Sequence, residues 1–188
     1  GSKLKVGAKE SVGVFATGKN QNISSKGDIE VGDTSFAFVV RGTGTTLKTD
    51  NTNGVTLGND AVFAYSADKT GNITNHTNLR STGNENYGIY ALGAVENYGN
   101  IDFSNGIGNV GAYSYVEGAT TTPNAIRNYG TISVSKTDIS DPDNRKYGIG
   151  MAAGFGEEVP VGSGNYVVKG LGNIENYGTI KVTTPDSI

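Results

Sequence analysis

The chain has 188 residues, of which only 35% are hydrophobic and 29 are glycine; it carries a formal net charge of −3 and no cysteine. Disulfides, thiolate metal sites and a cysteine nucleophile are excluded, and an acidic chain without a long basic run argues against a nucleic-acid partner. No stretch of about 18 apolar residues occurs, so nothing in the sequence would cross a membrane as a helix.

In chain order, Gly1-Ser2 reads as a tag-cleavage remnant and residues 1–9 as a lead-in. The chain itself reads as an excised piece of a longer protein. From residue 10 to residue 184, a single domain is expected in which two kinds of apolar segment alternate. Val12-Gly13-Val14-Phe15-Ala16 is followed by Gly27-Asp28-Ile29-Glu30-Val31, and Ser35-Phe36-Ala37-Phe38-Val39 by Asn53-Gly54-Val55-Thr56-Leu57, a degraded member shifted by one position. Ala61-Val62-Phe63-Ala64-Tyr65 precedes Gly71-Asn72-Ile73-Thr74, and Tyr87-Gly88-Ile89-Tyr90-Ala91 precedes Gly99-Asn100-Ile101-Asp102-Phe103. The last pairs are Val110-Gly111-Ala112-Tyr113-Ser114 with Gly130-Thr131-Ile132-Ser133-Val134, and Tyr147-Gly148-Ile149-Gly150-Met151 with Gly178-Thr179-Ile180-Lys181-Val182. Residues 185–188 form a tail.

The same tripeptide recurs as Asn86-Tyr87-Gly88, Asn97-Tyr98-Gly99, Asn128-Tyr129-Gly130 and Asn176-Tyr177-Gly178, with Tyr147-Gly148 as a partial copy. Units of this length cannot bury an apolar face alone, so neighbours must stack. Period-2 alternation puts Ile126, Asn128, Gly130, Ile132 and Val134 on one face and Arg127, Tyr129, Thr131 and Ser133 on the other. Inward Ile and Val would stack at the strand spacing, and inward Asn would form an amide ladder. Outward, Tyr98, Tyr129 and Tyr177 form an aromatic ladder, while Glu96, Arg127 and Glu175 alternate in sign beside it. The architecture that fits best is all-β, a right-handed parallel β-helix of about six to seven rungs. An antiparallel sheet or β-sandwich fits the alternation, but neither would demand similar sequence in every rung.

An exposed aromatic row is the leading candidate site. If Val12, Val14 and Ala16 point inward, Phe15 faces out, and the same phase turns Phe38, Tyr90 and Tyr113 outward, with Ala64 and Gly150 breaking the column. Such a row would be a platform for a glycan or an extended peptide. A second candidate is the loop of Asp138, Asp141, Asp143 and Arg145, where Asp141, Asp143 and Arg145 would meet a sugar or the carboxylates a Ca²⁺ ion; a solvated, Pro-containing turn is the plainer reading. His76, the lone histidine, falls in a polar turn and reads as a solvated loop residue. No Gly-x-Ser-x-Gly elbow or Walker loop occurs, and Gly106-Ile107-Gly108-Asn109-Val110-Gly111 matches Gly-x-Gly-x-x-Gly without a following helix. No catalytic residue, metal or cofactor is assigned.

The Asn-Tyr-Gly-x-Ile-x-Val segments, with their Gly-Ile-Tyr-Ala companions, resemble the β-helical passengers of type V autotransporters, most closely the large outer-membrane adhesins of Gram-negative anaerobes. The resemblance spans about residues 10 to 184. It implies export to the cell surface, and adhesion to proteins or glycans of other cells through β-helix faces or loops. Virulence and coaggregation are the settings it suggests. The fragment itself would not insert into a membrane, and its open ends could pair end to end. The alternatives are a β-helical polysaccharide lyase or hydrolase with its site in the loops, and a non-binding spacer.

Overall fold

Short runs of Ile, Val, Leu and Tyr separated by Gly, Asn and Asp favour strands of a few residues with sharp corners, and no helix forms among the described residues, 3–119 and 123–183. In this computed structural model the strands stack in parallel into a β-solenoid of about four turns, the regular ones running from Phe36 to Ser133. Three long parallel sheets form its walls. The first stacks Val12–Thr17, Phe36–Arg41, Val62–Ser66, Tyr87–Ala91, Val110–Ser114 and Ile149–Ala153. The second stacks Asn22–Ser25, Thr46–Thr49, Asn72–Asn75, Ala94–Asn97, Asn124–Asn128 and Asn173–Asn176. The third stacks Val55–Leu57, Leu79–Ser81, Ile101–Asp102, Thr131–Ser133 and Thr179–Lys181.

Each turn therefore carries three strands, where the alternation of two segment kinds suggested two. Asn72–Asn75 pairs with Ala94–Asn97 in the second sheet, and does not join the Gly99 and Gly130 segments. Asn22–Ser25 and Thr46–Thr49 belong to neither of the two apolar segment kinds, yet both are strands of the second sheet. Each holds a single inward apolar residue, Ile23 or Leu47, among Asn, Ser, Thr and Lys. Ladder pairing with neighbours makes these segments strands despite their low hydrophobicity. At Asn97, Asn128 and Asn176 the Asn-Tyr-Gly motif marks the corner between the second and third sheets, so that Asn128 ends one strand and Thr131 opens the next, whereas Asn86-Tyr87-Gly88 leads into the first sheet at Tyr87–Ala91.

The inward phase expected for the repeat is present. Ile101 pairs with Ile132, and Ile132 with Ile180, in one column that continues through Leu79 to Val55. Parallel columns of Leu47, Ile73, Val95, Ile126 and Ile174 line the second sheet. Phe38 and Phe63 meet edge to face at 5.5 Å between centroids inside the solenoid. Polar ladders fix the corners. The Asn75 amide donates to Asn97 at 2.7 Å, Asn97 to Asn128 at 2.8 Å, and Asn128 to Asn176 at 2.8 Å. Each of these amides also donates to the carbonyl two residues on, at Thr77, Gly99, Gly130 and Gly178. At the corner leading into the first sheet, Asn109 donates to the Gly83 and Asn105 carbonyls and accepts from the Asn86 backbone.

Glycine after tyrosine is dictated by the stack. A Cβ at Gly130 would strike the carbonyl oxygen of Gly99, and one at Gly178 the carbonyl oxygen of Gly130. None of these glycines needs a positive φ; close approach of coil on coil is what excludes a side chain.

Two insertions leave the walls. Residues 135–148 form a loop in which Asp138 and Lys146 bridge antiparallel. Residues 154–172 fold into an antiparallel hairpin, Phe155–Glu158 with Tyr166–Leu171, whose second strand also pairs with Val116–Glu117. At the start, Lys3–Val6, within the expected lead-in, pairs in parallel with Asp28–Val31. Gly1-Ser2 and the expected tail 185–188 lie outside the described residues.

Candidate functional site

The outer face of the first sheet carries a connected row of aromatic rings. The ladder register places Phe15, Val39, Tyr65, Tyr90, Tyr113 and Ala152 in one column. Each is followed by a small or apolar residue that turns into the core: Ala16, Val40, Ser66, Ala91, Ser114 and Ala153. A second column one ridge away contains Val12, Phe36, Val62, Tyr87, Val110 and Ile149.

Phe15, Tyr90 and Tyr113 thus stand outward as expected, but Phe38 does not. It pairs with Val14 and Ala64 in the interior column and is 1% exposed. Aligning Ser35 and Ala61 with Val12 slips those strands by one residue, and a one-residue slip moves every side chain to the opposite face. Val12 pairs with Phe36, and Phe36 in turn with Val62. Tyr65 accordingly occupies the place that Ala64 seemed to leave empty. The aromatic-plus-small pairs Phe15-Ala16, Tyr65-Ser66, Tyr90-Ala91 and Tyr113-Ser114 are the signal that gives this phase.

The rings touch in sequence from coil to coil. Phe36 lies 6.3 Å from Tyr65, Tyr65 5.4 Å from Tyr90, and Tyr90 5.0 Å from Tyr113. Tyr87 packs on Tyr90 at 5.5 Å. The row continues through Tyr115, 5.7 Å from Tyr113, to Phe155 of the hairpin at 5.2 Å. The Tyr113 hydroxyl donates to the Gly154 carbonyl at 3.0 Å, which ties the hairpin to this end. Interplanar angles of 34° to 68° make the surface ridged, unlike a flat stack. Between the ridges, Phe36, Val62, Tyr65, Tyr87 and Tyr90 line a shallow groove of about 300 Å³. Burial, reinforced by the neighbouring phenols of Tyr115, Tyr113, Tyr65 and Tyr87, pushes the Tyr90 hydroxyl up to about 12. Burial also raises Tyr87 and Tyr113. These phenols remain neutral donors at any physiological pH. At the far end of the row, Phe15 is 56% exposed, with the Arg41 guanidinium 5.8 Å from its ring centre.

A second aromatic column follows the Asn-Tyr-Gly corner. Tyr98 stacks on Tyr129 at 4.6 Å and Tyr129 on Tyr177 at 5.1 Å, within 11° of parallel. His76, read from sequence as a solvated loop residue, is exposed and heads this column, 4.6 Å from Tyr98 and 4° from parallel. Beside the column, Arg127 pairs with Glu175 at 2.7 Å and lies 3.8 Å from Glu96. That pairing holds the Glu175 carboxyl below its ordinary range. These rings bury their faces against each other, and present mainly edges to solvent.

The acidic loop is turned upon itself. Asp138 accepts from the backbone and hydroxyl of Ser140, and Asp141 accepts from the Asp143 backbone at 3.0 Å. Among the described residues no three His, Cys, Asp or Glu side chains converge as a metal site would require. Arg145 lines a depression of about 210 Å³ with Glu85, Tyr87, Lys146 and Tyr147, so Tyr87 joins it to the aromatic groove. Asp141 and Asp143 are exposed at the loop tip and do not line that depression. Comparison with known families, curated proteins and solved structures finds no match for this chain.

Proposed function

We propose that this chain is a β-solenoid segment of a surface-displayed adhesin, a passenger of the autotransporter type, that binds surface proteins or glycans of other cells. In this reading the coil is right-handed and six rungs long when the irregular end turns are counted, and its place is outside the outer membrane. The observation that carries the proposal is the aromatic row of the first sheet. Half-exposed rings stand outward in every middle coil, where a spacer needs only soluble residues, and a contiguous apolar surface of this kind is unfavourable unless a partner covers it. The amide ladder supports the same role, because a rod that must hold a face away from the cell needs a stiff, register-locked wall.

Adhesion is tested by adding the purified chain to mixtures of cells that coaggregate. The wild-type fragment is expected to block contact in a saturable way, and Tyr65→Ala with Tyr90→Ala together to lose most of that block. Circular dichroism should show the solenoid intact in the double variant. Equal blocking by both proteins would remove the aromatic row from the account; no blocking by either would leave a spacer.

A further inference from the structure

Resting on the adhesive reading of the same face, we infer that the groove between Phe36 and Tyr90 takes a proline-rich peptide segment in the polyproline II conformation. Three features of the groove select this occupant. First, its lining has no charged side chain and no amide: Phe36, Val62, Tyr65, Tyr87 and Tyr90 supply rings, methyl groups and phenol hydroxyls only. A pyranose carries hydroxyls on every side, and most would lose water here without a partner. A proline-rich strand lacks most backbone N–H groups and presents carbonyls that need donors, and phenol O–H groups are donors. The electrostatic match is donor groove to acceptor ligand. Burial keeps the Tyr87 and Tyr90 phenols protonated, so the match holds over the physiological pH range.

Second, the rings are tilted. Phe36 and Tyr65 lie at 53°, Tyr65 and Tyr90 at 62°. Flat stacking of a sugar ring wants an open aromatic face, whereas a ridged surface takes the alternating pyrrolidine rings and gaps of a polyproline helix. Third, the repeats agree. A polyproline II helix advances about 9.3 Å per three-residue turn, and two coils of the solenoid advance about 9.6 Å. A Pro-x-x-Pro segment lying along the solenoid axis therefore puts one proline between Phe36 and Tyr65 and the next beside Tyr90 and Tyr113. The hairpin end, closed by Tyr115 and Phe155, stops the segment there; the Phe15 end is open.

Fluorescence polarisation with a labelled ten-residue proline peptide as probe tests the assignment on the full chain. Saturable binding is expected, reduced at least tenfold when glycine replaces every proline, because the preformed conformation is lost. Tyr90→Phe keeps the ring and should weaken binding about five-fold through one lost hydrogen bond. Tyr65→Ala should weaken it further, with circular dichroism as the control on folding. Unlabelled neutral and acidic oligosaccharides should not compete. Equal affinity for the glycine peptide, displacement by a sugar, or no binding of the proline peptide would each overturn the inference. Cell-blocking activity that survives such a failure would leave the adhesive reading standing with a different ligand.

Discussion

Asn97 shows how a single polar residue holds this stack. Its side chain is fully buried, donates to Asn128 and to the Gly99 carbonyl, and accepts from Asn75. Removing it leaves one N–H of the Asn75 amide, the Asn128 oxygen and the Gly99 carbonyl without this partner in the interior. Each buried unpaired group costs about 1–3 kcal/mol. Asn97→Ala is expected to lower the free energy of unfolding by about 3 kcal/mol, read from the shift of the urea midpoint. Phenols give a second residue-scale prediction. Tyr90 titrates at about 12 in the folded chain, against about 10 in an unfolded one. The folded state thus holds its proton more tightly, so the stability this group contributes is complete below pH 10 and is lost between pH 10 and about 12. Absorbance at 295 nm should show a late-ionising component that loses amplitude in Tyr90→Phe, the remainder coming from Tyr87 and Tyr113. A single transition near the ordinary phenol value would contradict the burial described for this row.

At the level of strands, the inward columns set the scale of stability. Ile101 is fully buried between Leu79 and Ile132, whereas Ile180, at the end of the same column, is 40% exposed. Ile101→Ala should cost about 2–5 kcal/mol, and Ile180→Ala well under half as much. Equal costs would mean that the last coil is covered as fully as the middle ones. This column and the amide ladder were legible in the sequence where an Asn recurs with an Ile four residues on, at Asn97 and Ile101, Asn128 and Ile132, and Asn176 and Ile180, whereas the Leu79 rung, which lacks that signature, was not. Sheet membership was less legible. Asn22–Ser25 and Thr46–Thr49 carry one apolar residue each, and their strand character comes from pairing with each other and, for Thr46–Thr49, with Asn72–Asn75, which no local pattern reveals. The aromatic row was half legible. Phe15, Tyr90 and Tyr113 were placed outward correctly, but Phe38 went astray because Ala37-Phe38-Val39-Val40 is buried throughout. A run without alternation has no phase to read. Phe155 and Tyr115 were out of reach, since their place in the row depends on a hairpin that folds back over the wall.

Over the whole molecule, charge adds a shared dependence on pH. Glu30 is held below its ordinary range by Lys3, Glu175 by Arg127, and Glu158 by the Gly162 and Gly164 amides. Hydrogen bonds from Thr70 and Ser140 do the same for Asp68 and Asp138. Carboxyls with depressed values favour the folded state above the usual carboxylate range, and that contribution fades as pH falls through their folded values. Melting temperature should therefore hold near neutrality and fall below about pH 4. Arg127→Gln should blunt the fall in the final turns. A solenoid also transmits load only between neighbours, so amide exchange should be slowest in the middle coils and fastest at Thr179–Lys181.

How the strands of the first wall lie against one another decides which side chains face out, and oxidative cross-linking reads that directly in a chain with no native cysteine. Tyr65 and Tyr90 are ladder partners on the outer face, within the reach of a disulfide. Tyr65→Cys with Tyr90→Cys should oxidise readily to an intramolecular bridge, while Ala64→Cys with Tyr90→Cys should remain two free thiols. Bridging of the second pair in preference to the first would turn the strand over, bury the rings and remove the binding face.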